Sequence, residues 1–267
     1  MLIPRHWVKI VADLQVDGHV QRSHFWGWSN SSEAEAIERA RQRATFVQAR
    51  IDGNPFDHAE DYEVPIREEV LSELRSDAVV TRNRYGAEVL NCARLVMLDV
   101  DHAPSPGFWR SLFSRDKRTP KQRMLDHLVS AIPTLDRGLG YRIYETHNGY
   151  RVIVTGREMA PADPAVQAMC RAMNCDALYV KLCLKQDCFR ARLTPKPSRI
   201  RQRAIRLRFP YDQDMSDALS EWLPVYHERS ERYAVCRLVQ VIGPDDPDRI
   251  VRCHDERTRC FSELPLA

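Results

Sequence analysis

The chain has 267 residues, enough for one large or two modest domains around a sizeable core. Its 43% hydrophobic and 29% charged residues exclude wholesale disorder, and only 10 glycines and 16 prolines exclude a fibrous or low-complexity protein. No apolar run is long enough to span a bilayer, and Arg5, His6, Lys9 and Asp13 interrupt the first residues too often for a secretion signal, so a cytoplasmic protein with no membrane partner is expected.

Trp7, Val8, Ile10 and Val11, then Phe25, Trp26 and Trp28, flank Asp17-Gly18, which predicts a hairpin over 7–28. Ser32 followed by Glu35 predicts a capping box before a charged, Ala-rich helix over 33–50. A loop over 52–65 and a helix-like stretch over 66–75 follow, then strands near 77–81 and 94–100, with Asn83 to Asn91 between them. His102-Ala-Pro-Ser-Pro-Gly reads as a turn, and 120–132 as a helix limited by Pro133. Segments 141–145 and 150–154 flank Thr146-His147-Asn148-Gly149, the strongest hairpin signal in the chain.

Residues 162–174 read as a helix capped by Asp163 with Pro164 in its first turn. Beyond it, 203–209 is strand-like, 212–223 helical and 232–242 a final strand before the turn at Gly243. This order predicts an α+β fold with a mixed or antiparallel central sheet flanked by helices. A loose division falls near residue 85, giving an N-terminal α+β region (1–85) packed on a catalytic or nucleic-acid-binding domain (86–267).

The net charge of +3 conceals an uneven distribution. Residues 181–210 hold Lys181, Lys185, Arg190, Arg192, Lys196, Arg199, Arg201, Arg203, Arg206 and Arg208 against Asp187 alone, a local +9 that leaves −6 on the rest. A solvated basic loop is the plain reading, but the preference for Arg over Lys favours bidentate phosphate contacts. The eight cysteines are expected as reduced thiols. Cys170, Cys175, Cys183 and Cys188 are spaced more loosely than structural zinc ligands, and Cys253, His254 and Cys260 form a weaker set still, so zinc is not expected.

Arg94-Leu-Val-Met-Leu-Asp99-Val-Asp101 is an apolar strand ending in two carboxylates on one face, about 6.6 Å apart along the backbone. Such a pair repels unless a cation lies between, and its oxygens suit Mg²⁺ or Mn²⁺. The plain alternative is a strand end whose carboxylates cap nearby amides. Thr146, His147, Asn148 and Arg151 sit in or beside the tight hairpin, where a phosphate fits. Asp187-Cys-Phe-Arg190-Ala-Arg192-Leu-Thr194-Pro-Lys196-Pro then supplies an acid and closely spaced cations, with Lys196 held between two prolines. Tyr144, Tyr150 and Phe189 are candidates for stacking on a base.

In this order, the three elements resemble the motifs of the archaeo-eukaryotic primase (primase-polymerase) superfamily. Asp99 and Asp101 match its Asp-x-Asp strand, Thr146 to Val152 its glycine-bearing turn and strand, and Asp187 with Arg190 to Lys196 its third motif, for which Asp176 is a rival acid. Arg151 falls where the family carries a phosphate-contacting histidine, which marks a divergent member. The resemblance covers roughly residues 90–200. It implies a primase-polymerase-like fold with an RRM-like catalytic half and two Mg²⁺ or Mn²⁺ ions on Asp99, Asp101 and Asp187. Nucleotide phosphates would lie on Thr146, His147, Asn148, Arg151, Arg190, Arg192 and Lys196, and a nucleic-acid track on Arg199, Arg201, Arg203, Arg206 and Arg208. The implied partners are nucleoside triphosphates, single-stranded DNA or RNA, and replication proteins.

Three other readings share these residues. A non-catalytic replication accessory protein explains the basic segment and leaves Asp-x-Asp unused. A metal-dependent nuclease or phosphohydrolase shares the carboxylates, although the haloacid-dehalogenase pattern wants Thr where Pro104 stands. A structural protein would pair the basic segment with the acids of 212–231 within its own chain.

Overall fold

The computed structural model describes residues 1–54, 65–101 and 118–267. The expected turn at His102, Pro104 of the phosphatase comparison, and most of the expected loop over 52–65 lie outside the described residues. Strands β1 (His6–Val16) and β2 (His19–Ser29) form the first hairpin. Asp17 and Gly18 both have positive φ, 50° and 78°, as a two-residue primed turn requires. Helix α1 (Glu33–Ile51) buries Ala36, Ala40 and Ala44, one every four residues, against this hairpin. Its cap is half of the expected box: Ser32 Oγ accepts from Glu35 N at 3.2 Å, while Glu35 accepts from Ser29 Oγ instead.

Two antiparallel four-stranded sheets follow. The first has the order β3 (Glu69–Arg75), β4 (Ala78–Arg82), β5 (Glu88–Cys92), β9 (Phe189–Arg192), and β4 and β5 pair across residue 85. The expected helix at 66–75 is therefore a strand from residue 69. Val70, Leu71 and Leu74 fit either period, and pairing with the fully buried β4 decides between them. The second sheet has the order β10 (Cys236–Ile242), β7 (Gly140–Thr146), β8 (Gly149–Thr155), β6 (Met97–Asp101).

Helices α2 (Pro120–Ala131), α3 (Pro164–Ala172), α4 (Ala177–Gln186), α5 (Gln213–Ser230) and α6 (Arg249–Thr258) complete the described elements. Stretch 203–209 forms no strand. Its backbone is held by side chains and loops, Arg203 O accepting from Trp222 Nε1 at 2.8 Å and Leu207 N donating to Arg84 O at 2.9 Å. The fold is α+β, with antiparallel sheets flanked by helices. No helix among the described residues is long and apolar enough to cross a membrane.

All seven residues of β8 are buried, so the second sheet is covered on both faces. Directly opposed residues of antiparallel strands project to the same face. Leu98, Val100, Val152 and Ile143 therefore share a face that belongs to the main core with Met124 and Leu128 of α2. Leu238, Tyr144, Arg151 and Asp99 are successive partners across four strands and share the other face. That face carries the chemistry.

Candidate functional site

Strand β6 alternates as its sequence dictates: Leu98 and Val100 are fully buried, Asp99 is half-buried and Asp101 is exposed. The end of β6 lies against Gly149 of β8, the partner of Asp101. A Cβ on Gly149 would fall 2.1 Å from Val100 O. The Asn148-Gly149 signal thus marks a close backbone approach, since neither residue has positive φ.

Asp99 and Arg151 are cross-strand partners lining a cleft of about 540 Å³, together with Arg192 and Arg190 of β9 and Tyr179 and Cys183 of α4. Burial raises the pKa of Asp99 and the Asp101 and Asp176 charges push the same way, while Arg151 and Arg192 oppose them. The β4–β5 turn, Asn83 to Tyr85, closes another side of the cleft.

The cations divide into spent and unspent. Arg190 Nη2 lies 2.7 Å from both oxygens of Glu68, which also accepts from Thr81 Oγ1 at 2.6 Å, so Arg190 is neutralised inside the fold. No hydrogen bond or ion pair among the described residues holds the side chains of Arg192, Lys196 or Arg199. Burial lowers the pKa of Arg192, and Arg151 and Arg199 repel it further. Desolvation, then Arg192 and Arg199, hold the Lys196 ammonium below its usual value. Arg199 is also lowered by burial, opposed by Asp101 and Asp99. The loop that presents Lys196 is fixed, with Pro195 and Pro197 buried and Pro195 O accepting from Tyr226 OH at 2.6 Å. Like charges gathered this closely, with Asp99 and Asp101 as the opposing charges nearby, make a site of positive potential that suits an anion.

The structure brings Asp176, and not Asp187, beside Asp99. Asp176 N donates to Asp99 O at 3.1 Å, and its carboxylate caps α4 by accepting from Tyr179 N at 2.6 Å. Asp187 ends α4 in a left-handed conformation (φ 47°) and pairs with the Met1 ammonium at 3.1 Å, exposed. Thr146, His147 and Asn148 stay at the hairpin tip, outside the cleft lining. Thr146 Oγ1 accepts from Gly149 N at 3.1 Å, and His147 Nδ1 lies 3.1 Å from Leu266 O. Tyr144, Tyr150 and Phe189 are buried and offer no ring to a base, whereas Tyr85 is 38% exposed at the cleft.

Arg201, Arg203, Arg206 and Arg208 are exposed in a row of irregular backbone after Arg199. Among the described residues no ion pair joins them to the acids of α5, so the two charged segments do not cancel by direct contact.

His254, read from the sequence only as part of a weak zinc set, and Asp255, which carries no sequence signal of its own, are both buried on α6. Arg151 Nη1 donates to His254 Nε2 at 3.0 Å and to Arg192 O at 3.2 Å. His254 Nδ1 lies 2.9 Å from Asp255 Oδ1, which also accepts from Tyr144 OH at 2.7 Å. Arg142 completes the set, donating to Asp255 Oδ2 and Tyr144 OH at 2.7 and 2.8 Å. Burial pushes the His254 pKa down to about 4, with Asp255 opposing and Arg151 assisting. Burial disfavours the Asp255 carboxylate, but bonds from His254 and Tyr144 and the Arg142 charge outweigh it and lower its pKa. A local signal existed: Ile250, Val251, His254, Asp255 and Thr258 repeat at helical spacing behind the cap Asp248.

Among the described residues no group of three or more His, Cys, Asp or Glu side chains is arranged to hold a metal ion, and all eight cysteines are free. Asp99 and Asp101 alone still fit the mode in which Mg²⁺ takes one or two carboxylates and draws its other ligands from substrate phosphates and water.

Fold and cleft together define an α+β protein in which Asp99 shares a cleft with Arg151 and with Arg192, whose side chain no hydrogen bond or ion pair holds among the described residues. Neither a family model, nor a curated protein, nor a solved structure matches the chain.

Proposed function

We propose that the chain is a divalent-metal-dependent nucleotidyltransferase of primase-polymerase type, with a primase-like arrangement of its two four-stranded sheets, acting on a DNA or RNA strand. One observation carries this reading. Asp99 and Asp101 end a strand opposite Arg151, Arg192, Lys196 and Arg199, and no hydrogen bond or ion pair joins these carboxylates to these cations. Opposite charges left unjoined, of which Asp99, Arg151 and Arg192 line one cleft, suit a ligand that carries both a cation and several phosphates, as a metal-bound nucleoside triphosphate does.

Under this reading Asp99 and Asp101 hold Mg²⁺ or Mn²⁺ with substrate phosphates and water as the other ligands, since the Asp176 carboxylate beside them is engaged in the α4 cap and Asp187 pairs with the Met1 ammonium. The metal, when bound, neutralises phosphate charge and activates the attacking hydroxyl. Arg151, Arg192 and Lys196 bind the triphosphate oxygens through charge-assisted bonds. Arg199 to Arg208 follow the backbone of the strand. Arg151 stands where the family carries a histidine and offers a planar, multi-donor guanidinium suited to bidentate phosphate contact.

The test is incorporation of labelled nucleotide on a primed single-stranded template in Mg²⁺ or Mn²⁺. Wild-type protein is expected to extend the primer, and Asp99→Asn with Asp101→Asn to abolish extension while remaining folded. A second reading, a non-catalytic nucleic-acid-binding accessory protein, is favoured by the engagement of the Asp176 carboxylate in the α4 cap. Strand binding with no incorporation under either metal selects it.

A further inference from the structure

The Arg151 guanidinium is buried at 5% exposure, and its two Nη1 hydrogens are both spent inside the fold, on His254 Nε2 and on the Arg192 carbonyl. Among the described residues its Nε and Nη2 hydrogens have no partner, and neither atom is sealed from solvent. Nε and Nη2 form the edge with which arginine grips a phosphate or carboxylate in two parallel bonds. Arg151 also lines the cleft that holds Asp99 and Arg192. One edge is anchored and the opposite edge is offered.

The anchor is itself built. His254 is fully buried, so no substrate proton reaches it. The Asp255 carboxylate on its Nδ1 side requires a proton there, which leaves the Nε2 lone pair for Arg151. Asp255 is held in turn by Tyr144 OH and Arg142, so every polar atom of the pair has a partner. The Tyr144 ring packs edge-on against His254 with centroids 4.9 Å apart. A neutral imidazole locked in this tautomer accepts from a guanidinium without competing for its charge.

We infer that the His254–Asp255 pair is a positioning device that fixes the Arg151 guanidinium by one edge, so that its other edge is presented to a phosphate in the cleft. This rests on the phosphate-binding role proposed for Arg151. His254 is a positioning residue and touches no reacting atom. The pairing spans 103 residues, which ties α6 to the cleft floor.

Inorganic tripolyphosphate, titrated calorimetrically into the full chain at low salt, is the probe. Arg151→Met and His254→Leu are each expected to weaken binding about tenfold or more, roughly the loss of one hydrogen bond to a charged group. His254→Gln, which keeps an acceptor, is expected to restore affinity to within about threefold of wild type. In an Arg151→Met background, His254→Leu should have no further effect. Wild-type affinity in His254→Leu, or an equal loss in both backgrounds, overturns the inference.

If His254→Leu does not fold, the unsubstituted protein decides. Two held Nη1 hydrogens should give Arg151 slowly rotating, separately resolved guanidinium NMR signals, assigned by their loss in Arg151→Lys, and averaged signals overturn the inference. If Arg151→Met binds tripolyphosphate as wild type does, the phosphate role of Arg151 fails, while resolved signals still report the anchor.

Discussion

Asp99 and Arg151 stand directly opposite each other on neighbouring antiparallel strands, yet no hydrogen bond or ion pair joins them. Arg151 turns its Nη1 edge to His254 and to the Arg192 carbonyl, so Asp99 keeps its oxygens for another partner. A cation and a carboxylate held near each other but unpaired in a cleft form a site for a ligand that carries both charges.

Acid should destabilise the fold through His254. Its folded pKa of about 4 lies below the value of about 6.5 in an unfolded chain, so between these values the unfolded state binds more protons. Stability is therefore complete above pH 6.5 and falls by about 3 kcal/mol as pH drops through this window. Asp255, with a lowered folded pKa, adds a loss of the same sign on further acidification. Urea midpoints measured from pH 7 to pH 4 should show the slope, and His254→Gln should flatten it. An unchanged slope in His254→Gln would assign the acid sensitivity elsewhere.

Gly149 should be irreplaceable and Asn148 dispensable. Alanine at 149 would push its Cβ into Val100 O and part β6 from β8 where Asp101 is presented, at a cost of about 1–3 kcal/mol. Asn148→Ala should leave thermal stability unchanged, because position 148 has no left-handed backbone to accommodate. Paired melting curves of the two variants are sufficient.

Glu68→Gln should tighten anion binding while weakening the fold. It frees Arg190, now neutralised by two 2.7 Å contacts, to act as a further cation in the cleft. Loss of the charged partner in a largely buried pair is expected to cost about 1–3 kcal/mol. A Glu68→Gln protein that binds tripolyphosphate no better than wild type would show that the cleft anion does not reach Arg190.

Salt should weaken binding to single-stranded nucleic acid steeply, as each phosphate contact contributes about 0.7 to the log–log slope. Alanine at Arg203, Arg206 or Arg208, all exposed, should each lower that slope by about this amount with little change in stability. Fluorescence titrations over a range of salt concentrations measure it. A slope unchanged in the triple variant would place the strand elsewhere.

The two tight hairpins, the strand ending in Asp99 and Asp101, and α1, α2 and α3 were legible because period, turn residues and caps agree locally. Residues 69–75 were not, since their apolar positions satisfy two periods and only pairing with β4 chooses between them. Helix α4 was hidden inside a run read for its charge. The choice between Asp176 and Asp187 was undecidable from spacing, because it depends on which end of α4 meets β6. His254 was legible only as a weak zinc candidate beside Cys253 and Cys260, and not in the role its contacts give it. Its meaning lies in a contact with Arg151 across 103 residues, and no local pattern encodes such a contact.

The central claim is tested most directly by primer extension on a single-stranded template, with labelled nucleotide and Mn²⁺ or Mg²⁺, comparing wild type with the Asp99→Asn, Asp101→Asn double variant. Extension by wild type and none by a folded double variant is the predicted result. Equal extension by both, or strand binding without extension by wild type under either metal, would contradict it.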